Sequence, residues 1–177
     1  MTVMRKFAVL VALLPLFAVP ASGQALKGHN AKAPVDVEAD RIEVQDRNDR
    51  AIFSGNVRVR QGGLALNASR LTVAYDNGGG GVDIERLDAS GGVSVTSASE
   101  SATGDFAIYD LCGRMITLIG GVTLTQGANR LSGGRLVIDL DSGRAVVDGS
   151  SVGAPGVDGP AGGGGRVTGR FSVTKRN

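Results

Sequence analysis

Apolar and polar residues alternate in short runs along most of this chain, from Val35 to Val147. In the run VDVEAD, for example, Asp36 separates Val35 from Val37 and Glu38 follows, and RIEVQD repeats the pattern. An alternation with a period of two is typical of β-strands that bury one face and expose the other. No stretch shows the 3.6-residue spacing of an amphipathic helix. We therefore predict an all-β fold made of many short antiparallel strands.

A glycine-centred motif recurs within this pattern and indicates a repeated unit of strand, turn, strand, turn, strand. It occurs as FSGNV at Phe53–Val57, ASGGV at Ala89–Val93 and LIGGV at Leu118–Val122, with a weaker echo, VVDGS, at Val146–Ser150. Such units bury their apolar faces only against their neighbours. Two arrangements fit, a rolled V-shaped double sheet and a β-solenoid. Both leave the first and last strands as edges that are open to further pairing.

The chain divides into four segments by composition. Residues 1–23 are predicted to be a signal peptide, because Arg5 and Lys6 precede an apolar run, Phe7–Val19, that is shorter than the ~20 residues of a membrane-spanning helix. Its cleavage is expected between residues 21 and 25. Residues 24–34 form a polar, flexible lead-in, and residues 35–149 form the β domain. Residues 150–177 are predicted to be a disordered basic tail, because they are rich in Gly and Pro.

The residue types needed for catalysis or metal binding are scarce. The chain has one histidine, His29, and one cysteine, Cys112. A hydrolase triad and a His/Cys metal site are therefore not expected, nor is an internal disulfide. Without its leader the chain would carry equal numbers of acidic and basic residues, which argues against nucleic-acid binding. We predict no enzymatic activity and no cofactor, and we expect an apolar interior that handles apolar ligands or other proteins.

The segment Pro34–Asp76 resembles the start of the OstA-like domain of the LptA family of lipopolysaccharide-transport proteins. The likeness extends to about Gly149 and rests on the order of several short elements. These are V-x-V-x-A-D at 35–40, F-S-G-N-V at 53–57, Q-G at 61–62, L-x-A-x-x-L-x-V-x-Y at 66–75, Y-D-L at 109–111 and I-G-G-V at 119–122. The resemblance implies an OstA-like β-jellyroll, a V-shaped twisted double sheet.

The resemblance also implies a function. Members of this family are expected in the periplasm, where the acyl chains of lipopolysaccharide lie in an apolar groove. They stack head to tail and bridge an LptC-like inner-membrane component to an LptD-like outer-membrane component. Two alternatives stay open: another OstA-like component of the same pathway, and a secreted structural or adhesive β-solenoid with a filled core.

Candidate lipid-contacting residues come from two sources. The family motifs imply Val35, Val37, Tyr109 and Leu111. Alternation alone adds Ile42, Val44, Phe53, Val57, Val59, Leu66, Leu71, Val73, Val93, Val95, Phe106 and Ile108. For each of them, packing in the core is an equally good interpretation. The predicted stacking edges are Val35 and Val37 at one end and Ala145, Val146 and Val147 at the other.

Overall fold

A computed structural model of the chain describes residues 29–78, 81–149 and 165–172. These residues form ten strands and one short 3₁₀ helix, Asp46–Asn48. The all-β prediction is confirmed. The strands are β1 (Asp36–Glu38), β2 (Arg41–Gln45), β3 (Arg50–Gln61), β4 (Leu64–Asp76), β5 (Asp83–Thr96), β6 (Glu100–Asp110), β7 (Met115–Gln126), β8 (Asn129–Asp139), β9 (Arg144–Asp148) and β10 (Thr168–Arg170).

All strand pairs are antiparallel, and β3 to β8 pair in chain order through short hairpins. These six strands are 11 to 14 residues long, so they are longer than the alternation predicted. Each contact between neighbours is interrupted by a register shift near its middle, for example between Ser54 and Val57 and between Ser90 and Val93. These shifts form a line across the sheet, which we call the crease.

The crease divides the continuous sheet into two layers. Layer 1 contains β2, β9 and residues 50–54, 70–76, 83–90, 106–110, 115–119 and 135–139 of the long strands. Layer 2 contains β1, β10 and residues 57–61, 64–68, 93–96, 100–104, 122–126 and 129–133. One hydrophobic core takes buried side chains from both layers. The layers therefore face each other, which gives the predicted V-shaped double sheet.

The recurring glycine motif marks the crease rather than a turn. Gly91 and Gly92 have φ of 84° and 71°, and Gly120 and Gly121 have φ of 85° and 51°. Glycine adopts such values without the steric cost that a Cβ brings. A Cβ on Gly91 would also meet the side chain of Ser69 on the next strand. Glycines that the sequence suggested as turns thus lie inside long strands and bend them.

Three predicted segments lie wholly or partly outside the described residues, among them the predicted tail, of which 150–164 and 173–177 lie outside. The predicted signal peptide, 1–23, lies wholly outside them, and of the lead-in only 29–34 is described. Within the segment predicted to be a disordered tail, Thr168–Arg170 forms β10 and pairs with β8, so the structure differs from that prediction there. Among the described residues, no helix is long and apolar enough to cross a membrane.

Candidate functional site

Rows of inward-facing apolar side chains cross both layers from the first strand to the last. Residues directly opposite in an antiparallel ladder lie on the same face, so the register defines each row. The two rows of layer 1 are Ile42–Phe53–Leu71–Ala89–Ala107–Leu118–Leu136–Val147 and Val44–Ala51–Val73–Leu87–Tyr109–Ile116–Ile138–Ala145. The row of layer 2 is Val37–Val59–Leu66–Val95–Ala102–Leu124–Leu131–Gly169.

These rows line a trough between the layers. Each row crosses eight strands, and at about 4.8 Å per strand interval the trough is roughly 34 Å long. Within the described part of the chain, Gln61 is the one polar side chain that is fully buried. The lining is therefore a continuous apolar surface with almost no fixed polar groups.

The trough is open at the end formed by β1 and β2. Ile42 and Val44 pair with Phe53 and Ala51 and share their inward face, yet each is 56% exposed because no further strand covers them. A cleft of about 520 Å³ lies beside them. Its lining consists of Val35, Val37, Val44, Asp46, Ala51, Phe53, Val73, Tyr75, Asn77, Val82 and Ile84. Pockets of about 300–1,000 Å³ hold ligands the size of a drug molecule.

The chemistry of the cleft suits apolar ligands. Its polar lining groups are Asp46, Asn77 and the hydroxyl end of Tyr75. Desolvation raises the pKa of Tyr75, and the carboxylates of Asp46 and Asp49 raise it further. The residues of this cleft that the structure describes include no cationic side chain. Among the described residues, no group of three His, Cys, Asp or Glu side chains is placed to hold a metal ion.

The two layers are joined across the open side of the V by polar side chains. The hydroxyl of Tyr109 in layer 1 donates a hydrogen bond of 2.8 Å to Oε1 of Gln61 in layer 2. Burial raises the pKa of Tyr109 to about 12, against a smaller opposing effect of Arg114, so the hydroxyl stays protonated. Nε2 of His29 lies 3.0 Å from the same hydroxyl, which places the lead-in against this contact.

Most residues predicted to line the groove do face the interior. Deeply buried between the layers are Val57, Val59, Leu66, Leu71, Val73, Val93, Val95 and Tyr109. Partly covered and packed against this core are Val35, Val37, Phe53 and Leu111. Whether any of them touches lipid stays a prediction.

Phe106 and Ile108 lie on the outer face, contrary to the expectation from alternation. Phe106 is 55% exposed, while Ala107 and Tyr109 on the same strand point inward. The cause is the bend in β6 between Thr103 and Phe106, which shifts the alternation by one residue.

Other lining residues were missed by the sequence reasoning. They include Leu64, Leu87, Ile116, Leu118, Leu124, Leu136 and Ile138. Their own alternation could have indicated them. Gln61 carried no such signal, because its role depends on a contact with Tyr109, 48 residues away in the chain.

Comparisons with known proteins agree with this architecture. The family model described as LptA/(LptD N-terminal domain) LPS transport protein matches residues 36–144. An uncharacterised protein of Rhizobium meliloti (strain 1021) is 39% identical over 121 residues, which are 65% of this chain and 65% of that protein. The lipopolysaccharide export system protein LptH of Pseudomonas aeruginosa is 27% identical over 165 residues, covering 86% of this chain and 91% of LptH.

A solved structure shows the same fold. The crystal structure of LptH, described as the LptA-homologous periplasmic component of the lipopolysaccharide transport device of Pseudomonas aeruginosa, matches with a TM-score of 0.67. The match covers 81% of this chain and 98% of that chain, at 21% identity. The predicted OstA-like β-jellyroll is thereby confirmed. With the family model matching most of the β domain, the chain belongs to the LptA/(LptD N-terminal domain) family of LPS transport proteins.

Proposed function

We propose that this protein binds lipopolysaccharide through its acyl chains and carries it across the periplasm, as part of a bridge from the inner to the outer membrane. The observation that carries the proposal is the set of unbroken apolar rows along the trough. A ligand with several acyl chains and a large polar head fits a lining that is apolar along its whole length. The proposal assigns the protein no catalytic step.

The energetics of acyl chains in water favour such a lining. Burying one CH₂ group contributes about 0.8 kcal/mol, so exposing several long chains costs tens of kcal/mol. A lining with few polar side chains also binds an acyl chain at no single position much more strongly than at the others, which suits movement of the chain along the trough. The open cleft beside Val44 is the proposed entrance, because inward-facing side chains are already exposed there.

The ends of the trough suit stacking. Among the described strands, β1 and β2 at one end each pair on one side only, with β3, and β9 and β10 at the other end each pair only with β8. Strands with a free edge readily pair with strands of another chain. We propose head-to-tail self-association through Val35 and Val37 at one end and Ala145, Val146 and Val147 at the other. The same edges would receive an LptC-like component at the inner membrane and an LptD-like component at the outer membrane.

Delivery to the periplasm would follow from the predicted signal peptide. The proposal expects the mature protein to start between residues 21 and 25, which N-terminal sequencing of the exported protein would check. An unprocessed N-terminus would contradict it.

One observation favours a second candidate, a structural β protein without a lipid ligand. In the middle of the trough the side chains of Leu118, Leu136 and Ile138 are completely buried, so the interior is filled there. Acyl chains could enter this part only if the layers opened about the crease.

Photo-crosslinking to purified lipopolysaccharide separates the two candidates. The probe would replace inward-facing Val37 or Val44, with matched controls at the neighbouring outward-facing Glu38 and Glu43. Crosslinks at the two valine positions alone would support lipid binding in the trough. A folded protein that gives no crosslink at any of the four positions would favour the structural candidate.

A further inference from the structure

The described part of the lead-in, His29–Pro34, lies against the rim of layer 2, where β3 turns into β4. The amide of Asn30 donates to the carbonyl of Gly62 over 3.3 Å. The side-chain amide of Gln61 donates to the carbonyls of Ala31 and Ala33 over 3.1 and 3.0 Å. We call residues 29–34 the strap.

The strap also touches the opposite rim, in layer 1. His29 reaches Tyr109 near the end of β6, where the two rings meet edge to face with centroids 6.1 Å apart. A small cavity of about 180 Å³ is bounded by the strap on one side. On its other side lie Arg114, Leu140 and Asp141, from the turns that follow β6 and β8. The strap therefore spans the slit between the rims and covers the trough beyond the open cleft.

The fit between strap and rim is close. Gly62 has a φ of 51°, and a Cβ at this position would overlap the backbone carbonyl of Asn30. Glycine is therefore the residue that lets the strap lie directly on the rim. At the centre of the closure, Gln61 bonds to Tyr109 through its carbonyl oxygen and to the strap through its amide.

A closed slit conflicts with transport along the trough. An acyl chain inside the trough is covalently joined to sugars that must stay in water, so the junction has to pass through the slit at every point. We propose that the strap is a gate, held shut by Gln61, Tyr109 and His29, which swings away as lipid moves beyond the cleft. This inference rests on the proposed lipid-carrying function.

The contacts that hold the strap are of a kind that opens readily. They are mostly hydrogen bonds, which water replaces at little net loss once the groups are exposed. The strap residues include Ala31, Lys32 and Ala33, and the structure buries none of them fully. In addition, Nδ1 of His29 is buried with no hydrogen-bond partner of good geometry, which disfavours the closed arrangement.

Hydrogen–deuterium exchange of the mature protein, with and without purified lipopolysaccharide, tests the gate. Lipid binding is followed separately by co-elution in size-exclusion chromatography. We expect lipid to co-elute and exchange in the strap to rise, while strands β4 to β7 stay protected. Co-elution with a strap that stays equally protected would overturn the gate and leave the proposed function standing. Absence of co-elution would overturn both.

A glutamine substitution tests the role of the closure itself. Gln61→Met removes the two hydrogen bonds that this side chain donates to the strap and the bond that it accepts from Tyr109. We expect strap exchange without lipid to rise roughly 5- to 30-fold. We expect lipid uptake, measured by stopped-flow fluorescence, to become several-fold faster. The matched control is Gln126→Met, because Gln126 bonds to Glu100 and not to the strap. A faster-exchanging strap with unchanged lipid uptake would reduce the strap to a structural element and overturn the gate.

Discussion

Tyr109 and Gln61 meet across the open side of the V, and the 2.8 Å hydrogen bond between them joins the two layers. Both side chains are almost completely buried, at 2% and 4% exposure. Elsewhere in the described interior the layers meet through apolar side chains, so this pair provides the directional contact. The same glutamine holds residues 29–34, so the closure of the trough and the position of the lead-in depend on one side chain.

Tyr109→Phe is expected to lower the free energy of unfolding by about 1–3 kcal/mol, because Oε1 of Gln61 would be left buried without its donor. Urea denaturation followed by circular dichroism measures this. Tyr75→Phe serves as the control and should change the value by less than about 0.5 kcal/mol, because no hydrogen bond from its hydroxyl is seen in the described residues. Equal effects of the two substitutions would contradict the assigned role of the Tyr109 hydroxyl.

Acid should loosen the strap. Burial lowers the pKa of His29 below its ordinary value of 6.5, although the nearby backbone of Gln61 partly opposes this shift. The closed strap thus favours neutral imidazole, and its stability is complete above pH 6.5 and declines as the pH falls through the lowered pKa. Lys32, Arg114 and Asp141 line the cavity beside His29, and Tyr109 contacts it.

Exchange of the strap between pH 8 and pH 5, corrected for the intrinsic exchange rate, checks this dependence. His29 is the single histidine of the chain, so His29→Gln provides a clean control. The wild-type strap should lose protection on acidification, whereas the variant should not change with pH. Parallel curves for the two proteins would refute the assignment of this pH dependence to His29.

Substitutions of lining residues should have different effects on stability at the open cleft and in the middle of the trough. Val44→Asp is expected to leave stability within about 1 kcal/mol, since the side chain is already largely exposed, but to reduce capture of lipopolysaccharide severalfold. Leu118→Ala should cost about 2–5 kcal/mol of stability, because that side chain is completely buried. Denaturation and lipid binding are measured on both, with Gln45→Asp on the other face of β2 as control. Normal lipid capture by folded Val44→Asp would argue against an entrance at the cleft.

A proline scan of β9 should show a period of two. In an edge strand, alternate N–H groups point to the neighbouring strand and to the free edge, and proline removes the donor. The three variants are Ala145→Pro, Val146→Pro and Val147→Pro. Where the lost N–H pointed to the free edge, we expect the variant to lose self-association with little loss of stability. Light scattering and thermal melts measure the two effects. Unchanged association in all three folded variants would exclude this edge as a stacking surface.

Substitutions at the crease should separate backbone strain from crowding. Gly91→Ala and Gly92→Ala both place a Cβ at positive φ, at a cost of about 1–2 kcal/mol. At Gly91 the new Cβ also meets Ser69, whereas nothing lies within 4 Å of a Cβ at Gly92. We therefore expect the larger loss of stability for Gly91→Ala, measured by chemical denaturation. Equal losses would show that crowding across the crease contributes nothing.

The alternation predicted the all-β class and most of the lining, because a period of two fixes which side chains share a face. It placed Leu66, Leu71 and Val95 correctly inside. It failed at Phe106 and Ile108, because the bend in β6 changes the parity and the two halves of the strand look continuous in the sequence. Because the alternation does not reveal these bends, it also predicted strands that are shorter than the observed ones.

Contacts between distant segments lie beyond local patterns. His29 and Tyr109 are 80 residues apart, and neither has a neighbour in the sequence that indicates the other. The exposure of Ile42 and Val44 likewise depends on where the sheet ends, not on their own alternation. Residue types thus predicted the lining, whereas the closure and the open cleft required the three-dimensional arrangement.

The crease has a mechanical consequence. Because each of the six long strands runs through both layers, sliding one layer along the other would break the ladders of both. Rotation about the crease is the rigid movement that preserves every strand pair. The capacity of the interior is therefore set by a single angle. Under the proposed function, a cargo with more or thicker chains would be accommodated by changing that angle, with the strand register intact.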